Sequence, residues 1–254
     1  KRLIRQSITN SLFLENRTVY GNWTITPGVR LENIRQVVSE RYRASGAGLR
    51  NKDVTNNLPL LGLGLTYSLN EEWELYGNAS EAYTPVSFAN AVPTGATDTI
   101  SADINESHSD TQELGIRGQL NNLRVDVSAF QVYYANLFGR SGTSFINTGA
   151  GINKGVEASA QWRAWEKVEL YANTMVLHAR FINGPNEGKT PQYAPKSLSR
   201  AGVIAHPTDK DKVALMGTFV SSQYGDDTNS TNFKIPSYTV VDLTFEKSLY
   251  GNVP

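Results

Sequence analysis

The sequence contains no cysteine, which excludes disulfides and thiolate metal sites. Only three histidines occur (His108, His178 and His206), too scattered to make a zinc constellation. Excess charge is also missing: 24 basic residues balance 24 acidic ones, and no Lys/Arg-rich block occurs that would call for a nucleic-acid partner. Long apolar runs are absent as well. The longest, "LPLLGLGL" from Leu58 to Leu65, is interrupted by two glycines, so helices of about 20 apolar residues crossing a membrane are excluded. The low mean hydropathy of -0.37 leaves a membrane barrel open, because only every second strand residue faces lipid. The first ten residues, "KRLIRQSITN", lack the apolar stretch of a signal peptide, as expected of a segment internal to a longer precursor. No nucleophile motif G-x-S-x-G occurs. "GLGLTYSLNEE" lacks the spacing of a phosphate loop, and the Asp226–Asp227 pair does not fit an EF-hand. Neither an enzyme nor a bound cofactor is expected.

What the sequence does contain is period two. In "GNWTITPGVRLENI", Gly21 to Ile34, the apolar residues Ile25, Pro27, Val29 and Leu31 alternate with Thr24, Thr26, Gly28, Arg30 and Glu32. The same dyad recurs. Leu123, Val125 and Val127 oppose Arg124, Asp126 and Ser128. Val156, Ala158, Ala160 and Trp162 oppose Glu157, Ser159 and Gln161. Val241, Leu243 and Phe245 oppose Asp242, Thr244 and Glu246. About eleven strands can be read in this way, many of about ten residues or more against the usual five or six. Turns of about two to five residues alternate with connections of roughly ten to twenty-five, and charges stand at mid-strand on the polar face. Soluble sandwiches, propellers and solenoids also alternate. Strand length and the asymmetry of the connections point instead to an all-β, antiparallel transmembrane β-barrel portion, with long extracellular loops and short periplasmic turns. Aromatic residues at strand ends (Trp23, Tyr67, Trp73, Tyr83, Tyr133, Tyr134, Trp162, Trp165 and Tyr238) fit girdles at the membrane interfaces.

Six stretches carry a resemblance to a known family. "GNWTITPGVRLENI" resembles a strand pair common in TonB-dependent outer-membrane receptors, and "WELYGNASEAYTPVSF" their strand-to-loop signature. "INESHSDTQELGIRG" matches a further element through Glu106, Glu113, Gly115 and Arg117. "NKGVEASAQWR", "TPQYAPKSLSRAGV" and "IPSYTVVDLTFEKSL" match three more, in the family's order and over nearly the whole chain. Through "GNWTITPG" the chain is similar to the ferric-siderophore receptors, the ferric dicitrate type in particular. The resemblance implies a barrel of 22 strands in the bacterial outer membrane, an amino-terminal plug with a TonB box, and energy delivered by TonB. Plug motifs do not occur here, and the last strand runs into "YGNVP" where the family adds about two strands more. Residues 1–254 are therefore expected to be a partial barrel domain, roughly strands ten to twenty.

The expected function is uptake of a ferric chelate, a siderophore or ferric citrate, through a plugged barrel embedded in outer-membrane lipid, with TonB contacted through the plug. Haem, cobalamin or an oligosaccharide are alternative cargoes, and an adhesin or scaffold is the alternative of another class. The long loops offer Arg41, Tyr42, Arg43, Phe88, Asn90, Arg140, Gln192 and Tyr193 as candidate ligand contacts, since guanidinium forks suit anionic chelates. The mid-strand charges Glu15, Arg17, Arg30, Glu32, Arg124, Asp126, Glu157, Glu169, Asp242 and Glu246 are expected on a hydrated inner wall.

Overall fold

Apolar side chains at every second position share one side only when the backbone is extended, and successive segments of this kind satisfy their backbone groups by pairing edge to edge. The computed structural model, which describes residues 2–42, 51–86, 99–100, 106–141 and 144–248, shows this outcome. In chain order the strands are β1 (Arg2–Glu15), β2 (Thr18–Tyr20), β3 (Trp23–Tyr42), β4 (Asn51–Ser68), β5 (Trp73–Thr84), β6 (Thr99–Ile100), β7 (Ser107–Leu120), β8 (Leu123–Ser141), β9 (Ser144–Trp165), β10 (Val168–Phe181), β11 (Ser197–Thr208), β12 (Asp211–Val220), β13 (Gln223–Tyr224), β14 (Lys234–Ile235) and β15 (Tyr238–Lys247). Eleven of them form one continuous antiparallel path, β1-β3-β4-β5-β7-β8-β9-β10-β11-β12-β15, with β2 added on β3 and β6 on β9. β13 and β14 make a separate two-stranded piece. Among the described residues no helix is long and apolar enough to cross a membrane.

The pairing register sorts the side chains onto two faces. Ile25, Leu65, Gly77, Leu114, Ala129, Val156 and Val176 are successive Cα partners across seven strands, and they lie on the apolar face. One residue along, the row Thr66, Tyr76, Gly115, Ser128 and Glu157 lies on the polar face. Every mid-strand charge expected on an inner wall shares that polar face, apart from Arg17, which sits in the break between β1 and β2.

Among the described residues the apolar face has no partner layer. Buried hydrophobic side chains are few (Ile34, Ala150, Ala179, Phe181 and Val220), whereas Leu12, Leu114 and Leu243 are 69%, 68% and 73% exposed. A water-soluble chain of this length cannot leave such a continuous apolar surface bare. The apolar stretch also has a fixed height. On β3 it runs from Trp23 to Leu31, eight steps that span about 27 Å at roughly 3.4 Å each. That matches a transmembrane strand of about 9–11 residues. Beyond Leu31 the same face turns polar: Asn33 donates to Asn57 (2.7 Å), and Arg35 donates twice to Asp53 (3.1 and 2.7 Å). There, outside the membrane-spanning stretch, the hydrogen-bonded guanidinium holds the Asp53 carboxyl below its usual range. At the other end, by the short turns, Tyr20, Trp23, Tyr67, Trp73, Trp162 and Trp165 ring the apolar face, with the Trp23 and Tyr67 rings 4.7 Å apart. Tyr134 and Tyr238 depart from the expected girdle. Tyr134 pairs with Gly151 and Tyr238 with Val220, and both stand on the polar face.

The strands overrun the apolar belt, and here the structure corrects the segment boundaries read from the sequence. β3 continues to Tyr42 and β4 begins at Asn51, so much of the expected loop between them is paired. β8 and β9 rise as one tall hairpin to Ser141↔Ser144 where a long loop was expected. Its irregularity near Asn136 (φ 54°) is closed by side chains: Asn136 donates to the Glu106 carbonyl (3.1 Å), Asn147 to the Asn136 carbonyl (2.9 Å) and Thr148 to the Leu137 carbonyl (3.1 Å). Above the belt both faces meet water, so no dyad marks the strand.

The rows also slant. The polar-face row that starts at Thr24, next to the Gly21–Asn22 turn, ends at Tyr238, the first residue of β15 at the opposite end. That stagger is the tilt and shear a sheet needs to curl into a barrel.

Two substitutions check the faces. Val125→Arg, on the apolar face near mid-belt, is expected to cost about 2–4 kcal/mol in membrane refolding, and Arg124→Val much less. Equal costs would mean that the face assignment is wrong. On the polar face the Tyr76 ring lies over Gly115, where an added Cβ would meet its Cζ at 2.5 Å. Gly115→Val should displace Tyr76 and cost about 1–3 kcal/mol by overpacking, read as a lowered refolding midpoint in urea. An unchanged midpoint would mean that the ring has room to leave.

Candidate functional site

The polar face divides into two zones. Toward the short turns it is a hydrated wall of cross-strand pairs. The Tyr76 hydroxyl donates to Asp126 (2.9 Å), Asn78 donates to Glu113 (2.8 Å), and Arg117 pairs with Glu74 while lying 5.0 Å from the centre of the Tyr76 ring. Gln161 donates to Glu169 (3.0 Å); higher on the same face, Arg30 pairs with Glu32 two residues along β3 (2.5 Å). Because directly opposed residues on neighbouring strands are about 5 Å apart, short polar side chains reach one another without distortion.

Toward the long connections the same face becomes apolar. The slanted row that carries Glu157 continues through Met175, Leu198, Val220 and Tyr238. Together with Tyr134, Leu137 and Leu177 these residues line a cavity of about 670 Å³. Its roof is the connection between β10 and β11, from Pro191 to Pro195, which lies across the cavity instead of extending away from the sheet. Among the described residues no charged side chain lines it. The polar groups it presents are tyrosine hydroxyls and the amides of Asn153, Gln192 and Gln223.

The roof is held by a latch from the next connection, between β12 and β15. Asn229 uses both ends of its amide on Thr190, accepting from its N–H (2.9 Å) and donating to its carbonyl (2.6 Å). Asp227 accepts from the Gln192 N–H (2.9 Å), and the Tyr224 carbonyl accepts from the Tyr193 N–H (2.8 Å). The latch is itself a shaped turn. Asp226 accepts from the Ser230 N–H (2.9 Å) and from the Thr228 hydroxyl (2.9 Å), while Asn229 adopts φ 56°. Tyr193 lies in the roof at φ 57° and is 62% exposed as a residue. On the β9 side Asn183 accepts from the Ala150 N–H (2.5 Å), tying the start of the same connection to the tall hairpin.

Of the ligand contacts expected from the sequence, the structure brings Gln192 and Tyr193 together on the cavity. Arg41 and Tyr42 end β3 and Arg140 lies near the tip of β8, but their side chains lie outside the described residues, as do Arg43, Phe88 and Asn90 altogether. Sequence reasoning missed the lining itself: Tyr134, Leu137, Met175, Leu177, Leu198 and Tyr238. A signal was present in "NTMVLHARF", where three apolar residues in a row, Met175 to Leu177, break the dyad of residues 168–173, and beyond them the alternation is inverted. Among the described residues no group of three His, Asp or Glu side chains is placed to hold a metal ion.

The sequence profile of the TonB dependent receptor-like β-barrel domain matches residues 4–253. Among solved structures, the chain superposes on the siderophore receptor PiuA from Acinetobacter baumannii with a TM-score of 0.81 at 17% identity, over 98% of this chain and 38% of that one. On the ferric citrate transporter FecA the TM-score is 0.75 at 24% identity, over 93% and 37%. The copper transporter OprC gives 0.78 at 13% identity, over 97% and 40%. At these identities the likeness shows the fold, and the chain spans less than half the length of these proteins. In that fold the apolar face meets lipid and the polar face lines the lumen. The chain belongs to the TonB-dependent receptor β-barrel family, whose members are transporters of the bacterial outer membrane and not enzymes.

Proposed function

We propose that this chain is the cargo-facing wall of an outer-membrane receptor that captures a ferric chelate from outside and admits it through the barrel. The observation that supports this most is the latched cavity, which opens on the lumenal face at the long-connection end, above a hydrated polar wall. Among the described residues, a chelate entering from outside meets tyrosines, aliphatic side chains and amides at the cavity, and charged side chains further in. The lining among the described residues is uncharged, which favours a siderophore with aromatic or aliphatic surface over ferric citrate, whose carboxylates call for cations at the contact. Further strands of the longer polypeptide close the sheet at its two ends, β1 and β15, since unpaired edges are not tolerated in hydrocarbon. A plug within that longer polypeptide fills the lumen, and TonB supplies the energy through it.

The reading is tested in a strain lacking the gene, by uptake of radiolabelled iron presented as a panel of ferric siderophores or as ferric citrate. One siderophore should depend on the gene, and uptake of the whole panel at the wild-type rate would end the proposal. In the complemented strain Tyr193→Ala should weaken binding of that chelate by removing a contact. Asn229→Ala should do so by freeing the roof, since it removes two hydrogen bonds worth about 0.5–1.5 kcal/mol each. A loss of roughly tenfold in affinity, measured on the purified receptor, is expected for Asn229→Ala. An affinity within twofold of wild type would show that the latch does not shape the cavity.

A further inference from the structure

On the lipid face, where the apolar belt stops, three basic side chains stand together. Val156 and Val176 are Cα partners at the top of the belt. One same-face step beyond them Lys154 pairs with His178, and one step further Ile152 pairs with Arg180. Lys154, His178 and Arg180 are all exposed. Paired residues on neighbouring strands are about 5 Å apart, and same-face residues along a strand about 7 Å apart, so the three cover a patch small enough for one phosphate to reach. Toward β8 the two rows continue with Gln131 and Tyr133, both uncharged. The first carboxylate on that side is Asp110, the partner of Tyr133 and three strands from Arg180, roughly 14 Å away. Glu187 follows in the connection after β10. Among the described residues neither carboxylate forms an ion pair with Lys154 or Arg180. Arg35, also just beyond the belt, is by contrast neutralised by Asp53.

The height is also specific. Lys154 and His178 lie about 7 Å of strand beyond the last apolar pair and Arg180 about 14 Å, and strand tilt shortens both distances along the membrane normal. The headgroup layer occupies about 5–8 Å beyond the hydrocarbon on each side. We propose that Lys154, His178 and Arg180 form a site on the outside of the barrel for the phosphate of a membrane lipid in the leaflet on the long-connection side. Arg180 supplies the forked donor, Lys154 the ammonium and His178 a ring N–H. Val156 and Val176 lie beneath, where the acyl chains begin. The proposal rests on placement in the outer membrane and not on any cargo.

The test uses the whole receptor in nanodiscs of phosphatidylcholine doped with diphosphoryl lipid A, with retained lipid counted by native mass spectrometry after release into detergent. Wild type should retain lipid A. A cation near an anionic lipid surface contributes about fivefold, so Lys154→Ser with Arg180→Ser should reduce retention roughly tenfold or more. The charge-preserving pair Lys154→Arg with Arg180→Lys should retain it, and heat-modifiable electrophoretic mobility reports that each variant is folded. Arg200→Ser, on the lumenal face of neighbouring β11, should leave retention unchanged. Unchanged retention in the double serine variant would overturn the proposal. So would an equal loss in Arg200→Ser, loss in the charge-preserving pair, or displacement of the lipid by millimolar inorganic phosphate, which would mark a site for free anions.

Discussion

A backbone crossing hydrocarbon has no water to bond, so each N–H and C=O inside the belt must find its partner on a neighbouring strand. From that constraint the rest of the structure follows. Continuous pairing forces each segment to be extended, and extension forces alternate side chains to opposite faces. One face therefore meets lipid while the other meets the lumen. A shift of one residue between two strands would exchange the faces, so the register must be pinned. The lumenal pairs do this on β5, β7 and β8. Tyr76 reaches Asp126, Asn78 reaches Glu113 and Arg117 reaches Glu74 only in the observed register. On the lipid side Leu, Val and Ala are nearly interchangeable and carry little register information.

Shear converts this two-faced ladder into a vertical gradient. Because the rows slant, a row that is polar at Tyr76 and Glu157 arrives at β15 well above its starting level, and there it is apolar: Met175, Leu198, Val220, Tyr238. The cavity is thus the upper end of the same lumenal surface, not a separate element. Its roof is fixed by side-chain-to-backbone bonds from Asp227 and Asn229, on a turn that Asp226 shapes, because two connections of unequal shape have no ladder to share. Amide and carboxylate side chains of short reach take the place of the ladder, as they do in Asx turns.

Legibility in the sequence tracks the number of solvents a strand meets. Inside the belt, lipid on one side and water on the other write a dyad, and Leu123, Val125 and Val127 against Arg124, Asp126 and Ser128 can be read without coordinates. Above the belt both sides are wet. Asn51–Asn57 and the upper parts of β8 and β9 therefore look like loops in the sequence although they are paired. Tyr133 and Tyr134 are equivalent as aromatic residues near a strand end, yet one stands on the outer face above the belt and the other on the cavity. Parity decides between them, and the registers supply it across strands. Met175 and Leu177 announced an anomaly on β10. That they meet Leu198, Val220 and Tyr238 depends on pairings between segments that no local pattern encodes.

Four of the cations on the lumenal wall are each paired with a carboxylate, and this has a consequence for permeation. Arg30 with Glu32, Arg117 with Glu74, Arg163 with Glu169 and Lys212 with Glu246 are pairs whose members are partly exposed. Exposed pairs of this kind contribute about 0–1 kcal/mol each, too little for stability to be the reason for them. What they produce is a surface that offers donors and acceptors at short intervals without a field of one sign. An anionic solute moving along such a wall exchanges one weak partner for the next, whereas a run of unpaired arginines would hold it. Unpaired cations on β9 and β10, by contrast, stand on the lipid side, where retention of a phosphate is useful and transit is not at stake.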